Sequence, residues 1–389
     1  MQWNPYRESV GCVIDLPQTY LITQLAIMNN AYLFVFILSF VLLFVMRKVA
    51  KRVGLVDKPN ARKLHQGVVP LVGGISIFST ILVGFLLFLP MNDNLSLYLS
   101  CSAVLIVLGA LDDYYDVSFK IRLIIQAGIS LAMIYIGGHS LHDLGYLMGS
   151  ETIALNEVTG AVITVIAVIG AINAFNMVDG IDGLLGGLAS VTFTALGIVF
   201  AYNGNEYLAT ICLLIVTAML PYIFLNLGFP LGRRFKIFMG DAGSMFIGFT
   251  VVWMLIRGTQ EPGAVAFKPV TALWLIALPL MDMATIMIRR IRKGQSPFQP
   301  DREHLHHICQ RIGLSPGATL IFICSMASIC AAIGLWADFV GVSESIMFIT
   351  FITVFVVYFF LISHIWKIST LIRGQLRYKE DVNIGKSGL

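Results

Sequence analysis

Asp112-Asp113-Tyr114-Tyr115-Asp116 places three carboxylates within five residues. On a helix end, Asp112 and Asp116 lie about one turn apart and share a face. Like charges so close repel one another unless a cation lies among them. Mg²⁺ takes oxygen ligands and commonly joins one or two carboxylates to substrate phosphates. A solvated acidic helix end is the plain alternative. The same DDxxD spacing also serves diphosphate and Mg²⁺ in prenyl-transferring enzymes, so it does not choose a reaction.

Three further clusters carry comparable chemistry. In Asn173-Ala174-Phe175-Asn176-Met177-Val178-Asp179-Gly180-Ile181-Asp182-Gly183, carboxamides, carboxylates and glycines close an apolar stretch. Asp179 and Asp182 can face the same way on a helical turn, and the glycines let backbone approach a ligand closely. EF-hand spacing and its terminal Glu are absent. A polar turn with Asx caps is the competing explanation. In Phe238-Met239-Gly240-Asp241-Ala242-Gly243-Ser244, Asp241 stands where a helix N-cap is expected. That position also turns backbone N–H groups and a positive dipole end toward an anion. The fourth cluster is Pro300-Asp301-Arg302-Glu303-His304-Leu305-His306-His307. It lacks the Cys pair or HExxH spacing of a zinc site. Arg302 and the histidines suit anion binding, against a plain solvated basic loop.

The elements that must position these clusters are apolar. The chain of 389 residues is 57% hydrophobic and 12% charged, whereas soluble proteins carry about 25% charged residues. Stretches long enough to cross ~30 Å of hydrocarbon recur eleven times, at 27–46, 69–89, 95–111, 121–137, 159–178, 183–202, 207–227, 242–257, 269–288, 318–336 and 345–365. Pro221 and Pro279 are expected to kink their helices. Residues 138–158 are long enough for a small hairpin. The expected fold is an all-α integral membrane protein, a single polytopic bundle over 1–389 with a short tail at 1–26 and another at 366–389. Residues 1–26 hold Asp15, Pro17 and no continuous apolar core, unlike a cleavable signal peptide.

Charge supplies the sidedness. Lys and Arg gather on the cytoplasmic side of membrane proteins. Alternate loops here hold 23 of the 26 Lys and Arg, and the other set with the N-terminal tail holds 3. An odd number of spans follows, with the N-terminus periplasmic and the C-terminus cytoplasmic. All four clusters then fall on the cytoplasmic face, although their acidic and histidine residues played no part in the assignment. A net charge of +4 gives little support to nucleic-acid binding, and six scattered Cys suggest neither disulfides nor a metal cluster. Asp282 differs from the rest. It lies inside the ninth stretch and is costly there unless paired. A structural polar pair and a supporting role at the site fit it equally.

At these clusters the sequence resembles the polyprenyl-phosphate N-acetylhexosamine-1-phosphate transferases, over roughly Val53 to His307. Val53-Gly54-Leu55-Val56-Asp57-Lys58-Pro59-Asn60, His65-Gln66-Gly67, Pro70-Leu71-Val72-Gly73-Gly74 and Ser296-Pro297-Phe298-Gln299-Pro300-Asp301-Arg302 share that family's style. The resemblance implies a catalytic role for Asp112, Asp113 and Asp116, and Mg²⁺ (or Mn²⁺) ligands in Asn176 and Asp241. It implies phosphate-binding cations in Lys120 and Arg122, and a substrate contact in Asp179. Phe238 would stack on uracil and Asp182 contact the base. Arg302, His304, His306 and His307 would read sugar and pyrophosphate. The implied partners are undecaprenyl phosphate in the bilayer of the bacterial inner membrane and a UDP-N-acetylhexosamine. Asp116 and Asp301-Arg302 favour UDP-N-acetylglucosamine over the muramoyl-pentapeptide donor, hence the first lipid-linked step of O-antigen or enterobacterial common antigen. A homodimer stays open. A secondary transporter would keep its ionisable groups near the midplane. A prenyltransferase would need neither the uracil-type aromatic nor the histidine loop.

Overall fold

The computed structural model describes residues 18–57, 67–261, 265–296 and 303–386, with side chains between 28 and 365. Each of the eleven apolar stretches is helical over most of its length. They form α1 (Gln18–Val53), α2 (Gly73–Phe88), α3 (Asp93–Tyr115), α4 (Phe119–Tyr135), α5 (Glu157–Met177), α6 (Leu184–Tyr202), α7 (Glu206–Leu227), α8 (Gly240–Gln260), the pair α9 (Pro269–Leu275) and α10 (Ala277–Arg292), α12 (Pro316–Phe339) and α13 (Glu344–Lys386). A short α11 (Leu305–Arg311) lies in the histidine loop. Eight helices are long and apolar enough to cross a membrane, among the described residues. This is a multi-pass, all-α membrane protein. α2 and α4 have 16 and 17 residues, or about 24–26 Å at 1.5 Å per residue, and fall short of that length.

The ninth stretch departs from a simple span. α9 and α10 meet at an 81° bend. Pro279 has no N–H to give the Leu275 carbonyl one turn back. The Thr192 hydroxyl of α6 donates to that carbonyl instead, at 3.2 Å. The break therefore has a local cause and a tertiary cap.

α8 is the axis of the bundle. It is buried along almost its whole length and packs against α2, α3, α5 and α6. Glycine allows this. A Cβ built at Gly74 would lie 2.1 Å from the Gly243 Cα, one at Gly109 2.2 Å from the Ala242 Cα, and one at Gly248 2.6 Å from the Ile172 Cα. Backbone thus meets backbone where α2, α3 and α5 reach α8, as small residues permit inside membranes. Tyr98 of α3 and Thr250 of α8 share a buried hydrogen bond of 2.9 Å.

At the far end of α8, Gln260 organises residues 138–158. Its Oε1 accepts from the His142 and Asp143 N–H groups at 3.0 and 3.1 Å, and its Nε2 donates to the Asp143 carbonyl at 2.9 Å. The antiparallel bridge Asp143↔Ala154 makes this the expected small hairpin.

Candidate functional site

The segment before α8 is held by the one that precedes α2. β1 (Val56–Asp57) pairs antiparallel with β2 (Val69–Pro70). The Phe238 N–H donates to the Pro70 carbonyl at 2.9 Å, and the Gly73 and Gly74 N–H groups donate to the Phe238 and Met239 carbonyls at 2.9 and 3.0 Å. The motif Pro70–Gly74 is therefore a clamp for Phe238–Gly240.

Asp241 is the second residue of α8, and it does not cap the helix. The cap comes from α3: Asp113 Oδ1 accepts the Asp241 N–H at 3.0 Å, and its Oδ2 lies 3.5 Å from the Ala242 nitrogen. Gly240 has φ +75°, and a Cβ there would lie 2.4 Å from Asp113 Oδ2. Glycine thus supplies both the turn and the room for the cap. Relieved of capping, the Asp241 carboxylate turns to α5, where Asn176 Nδ2 donates to its Oδ1 at 2.7 Å and to Ser244 Oγ at 2.8 Å. The carboxylates of Asp112, Asp113 and Asp179 all interact electrostatically with Asp241. Asp112 also forms an ion pair of 2.6 Å with Arg122.

Asp116 corrects the expectation of a shared helical face. It is the C-cap of α3 in the left-handed region (φ 56°, ψ 64°), and its N–H bonds the Asp112 carbonyl. Asp tolerates this conformation better than most residues. Asp112 is buried and Asp116 exposed, so the two carboxylates do not act from one face. Lys120 is exposed at the start of α4.

Asp179–Gly183 forms a turn rather than a helix. Buried Asn226 of α7 joins it to the next motif, accepting the Gly183 N–H at 2.5 Å and donating to the Ile237 carbonyl at 2.7 Å. Lys236 then bridges two of the expected residues. Its Nζ lies 2.7 Å from Asp182 Oδ2 and 5.0 Å from the Phe238 ring centroid. Neither Asn226 nor Lys236 stands out in the sequence; the only sign of Lys236 is a cation two residues before an aromatic.

The histidine loop docks on the same turn. His304 Nδ1 lies 2.9 Å from Asp282 Oδ2, and the Leu305 N–H donates to Asp282 Oδ1 at 3.0 Å. Asp282 is thereby paired, and to the site. Glu303 is gripped by Arg289 at 2.7 Å and Lys293 at 3.1 Å. The His304 and His306 rings stack at 5.7 Å, and His306 and His307 lie 4.2 Å apart. A Cβ at Gly180 would lie 2.0 Å from His306 Nε2. Burial, then the neighbouring His307 and His304, pushes the His306 imidazole down to about 3, so it is neutral near pH 7. It can offer an anion one N–H but no charge. Arg302 lies outside the described residues.

Asp112, Asp113, Asn176, Asp179, Asp182, Phe238, Asp241 and the three histidines thus come together at one end of the bundle. Several carboxylates crowd Asp241 while Arg122 is paired with Asp112, and the side chains of Asp241, Asn176 and Ser244 offer oxygens as ligands. No three His, Cys, Asp or Glu side chains form a closed metal cage among the described residues. Such a set fits a hard divalent cation held by one or two protein oxygens and completed by phosphate. An aromatic and a carboxylate, Phe238 and Asp182, flank it on either side of Lys236.

Residues 95–259 match the model for glycosyl transferase family 4. The chain is 48% identical over 340 residues to the undecaprenyl-phosphate alpha-N-acetylglucosaminyl 1-phosphate transferase of Escherichia coli O157:H7, covering 87% of this chain and 92% of that protein. The proteins of the same name from Salmonella typhi and Yersinia pestis are 49% and 46% identical, over 87% and 90% of this chain and 92% and 95% of theirs.

Proposed function

This chain belongs to glycosyl transferase family 4, and from that premise we propose that it transfers N-acetylglucosamine-1-phosphate from UDP-N-acetylglucosamine to undecaprenyl phosphate, releasing UMP. The observation that carries the proposal is the convergence of Asp112, Asp113 and Asp179 on Asp241, beside the Phe238–Lys236–Asp182 group. The relatives' name supplies acceptor and sugar.

Phe238 offers a face for uracil, and Asp182, one oxygen on Lys236, keeps the other for a base N–H. Asn176 and Asp241 would hold Mg²⁺ or Mn²⁺, which when bound neutralises charge on the diphosphate. Arg122 and Lys120 attract the acceptor phosphate, with Asp112 fixing the Arg122 guanidinium. His304, His306, His307 and Arg302 bind sugar and pyrophosphate oxygens. The acceptor oxygen attacks the β-phosphorus, and the bond to the UMP oxygen breaks. A phosphate monoester with a second pKa near ~6 is largely dianionic at pH 7. It therefore needs no strong base, and Asp113, occupied with the α8 cap, need not act as a nucleophile. Direct displacement forbids exchange of labelled UMP into UDP-N-acetylglucosamine without lipid.

The test is purified protein with Mg²⁺, undecaprenyl phosphate and, separately, UDP-N-acetylglucosamine, UDP-N-acetylgalactosamine and UDP-N-acetylmuramoyl-pentapeptide. Lipid-dependent UMP release, fastest with UDP-N-acetylglucosamine, is expected. Release independent of lipid, or faster with another donor, overturns the proposal.

Phe238→Ala is expected to raise the KM for the UDP-sugar and weaken competition by uridine nucleotides, since base–aromatic stacking is worth about 1–3 kcal/mol. Phe238→Tyr should be mild. Equal loss in both would mean that the ring only packs.

For topology we propose eleven crossings, counting α2, α4 and the α9–α10 pair, with the site on the cytoplasmic face of the inner membrane. The split of 23 Lys and Arg against 3 supports this. A cytoplasm-active reporter should work after Lys63, Lys293 or Arg377, and an export-active one after Asn92 and Asn203. The reverse pattern at any two sites would refute a cytoplasmic site.

A further inference from the structure

Asp282 is 3% exposed on α10 and makes three contacts with two other elements, the histidine loop and α13. His304 Nδ1 lies 2.9 Å away, the Leu305 N–H 3.0 Å and the Tyr358 hydroxyl of α13 2.8 Å. An ionised carboxylate is an acceptor only. An acceptor-only Asp282 takes all three contacts when the His304 ring carries its proton on Nδ1, the tautomer on which the inference below is built. A buried charge of this kind persists only when its bonds are met. Tying α13 to α10 would need Tyr358 alone. The two remaining bonds go to consecutive residues of the histidine loop.

We propose that Asp282 is a positioning residue for the transfer reaction, which holds His304, and through it the histidine loop, against the Asp179–Gly183 turn, with Tyr358 completing its hold. The inference rests on the function proposed above. With Nδ1 bound to Asp282, His304 meets a ligand through Nε2 only. Its ring is parallel to that of His306, at 5.7 Å and 5°. His306 in turn fills the space that a side chain at Gly180 would occupy. A continuous path of contacts thus runs from α13 through Asp282, His304 and His306 to the turn that carries Asp179 and Asp182. Tyr358 and the histidine loop both lie outside residues 95–259, the part matched by the family model.

The test is a pair of double-mutant cycles. Carboxylates that orient a metal-binding histidine are worth about 10–100-fold, and Asp282→Asn is expected to lower kcat with UDP-N-acetylglucosamine by a comparable factor. The KM for undecaprenyl phosphate should stay unchanged. Tyr358→Phe, which keeps the ring's packing, should show a smaller loss in the same direction. In a His304→Ala background, neither substitution should cost more than about twofold further. Losses that multiply in full would overturn the proposal, because Asp282 would then serve the fold and not His304. If Asp282→Asn fails to fold, the Tyr358→Phe cycle decides by the same criterion.

A second readout needs no turnover. The protein has seven histidines, so selective ¹⁵N-histidine labelling can assign His304 by the signal lost in His304→Ala. A proton on Nδ1 is expected, moving toward Nε2 in Asp282→Asn. An Nε2–H tautomer in the unaltered protein would also overturn the inference. An unaltered protein that releases no UMP in response to lipid defeats the proposed function instead, and the ¹⁵N signal still decides this one.

Discussion

Asp241→Asn is expected to lower turnover by about 10²–10³-fold, the range seen when one group that stabilises developing charge is removed, and to raise the Mg²⁺ concentration needed for activity. Asparagine keeps the shape and an oxygen for the Asn176 amide, now 2.7 Å from Asp241 Oδ1. It removes the negative charge that a cation on the diphosphate would need. The fold should not suffer. Asp113 caps α8 through the backbone N–H of residue 241, which the substitution leaves in place. Asp112, Asp113 and Asp179 also lose a like charge that each now opposes. The thermal midpoint of the variant should equal or exceed that of the parent. Activity lost while stability is kept separates a ligand from a structural aspartate. A near-normal rate at limiting Mg²⁺ would remove Asp241 from the chemistry.

Gly74→Ala should be nearly as damaging by a different route. Its Cβ would lie 2.1 Å from the Gly243 Cα and 2.2 Å from the Gly243 nitrogen. Backbone cannot rotate away as a side-chain tip can, so α2 and α8 must separate. Overpacking of this kind typically costs about 1–3 kcal/mol. The larger effect falls on the site. Gly74 N–H bonds the Met239 carbonyl, and Met239 leads into Gly240 and Asp241. A shift of about 1 Å in reacting groups can cost roughly 10²-fold in rate, and a loss of that order in kcat is expected. Gly128→Ala is the control, because a Cβ there meets nothing within 4 Å. It should leave rate and stability unchanged. Equal behaviour of the two variants would mean that the close helix contact does not set the site.

Much of the bundle was legible because lipid imposes long apolar runs, and each such run became helix over most of its length. The bend at Ile276 was partly legible. Pro279 announced a kink, but its angle depends on a cap from Thr192, far away in the chain. The convergence of the acidic clusters at one end of the bundle was legible, since so many carboxylates at span ends have few structural uses. Their individual duties were not. Asp241 stood at the expected cap position, yet the cap is Asp113, because α3 ends against the start of α8. Asp116 was read onto the face of Asp112, but the helix stops and the backbone turns left-handed there. Asp282 showed its cost in the sequence and hid its partners, which lie 22 and 76 residues away. Lys236 and Asn226 act only through tertiary contacts, so spacing alone could not reveal them.

The central claim is that the sugar leaves with its phosphate. UDP-N-acetylglucosamine labelled with ³²P at the β-phosphate tests it directly, with purified protein, Mg²⁺ and undecaprenyl phosphate. Label is expected in the organic phase on a lipid that also carries N-acetylglucosamine, with unlabelled UMP in the aqueous phase. Label that remains in the aqueous phase as UDP, with sugar alone on the lipid, would contradict the claim.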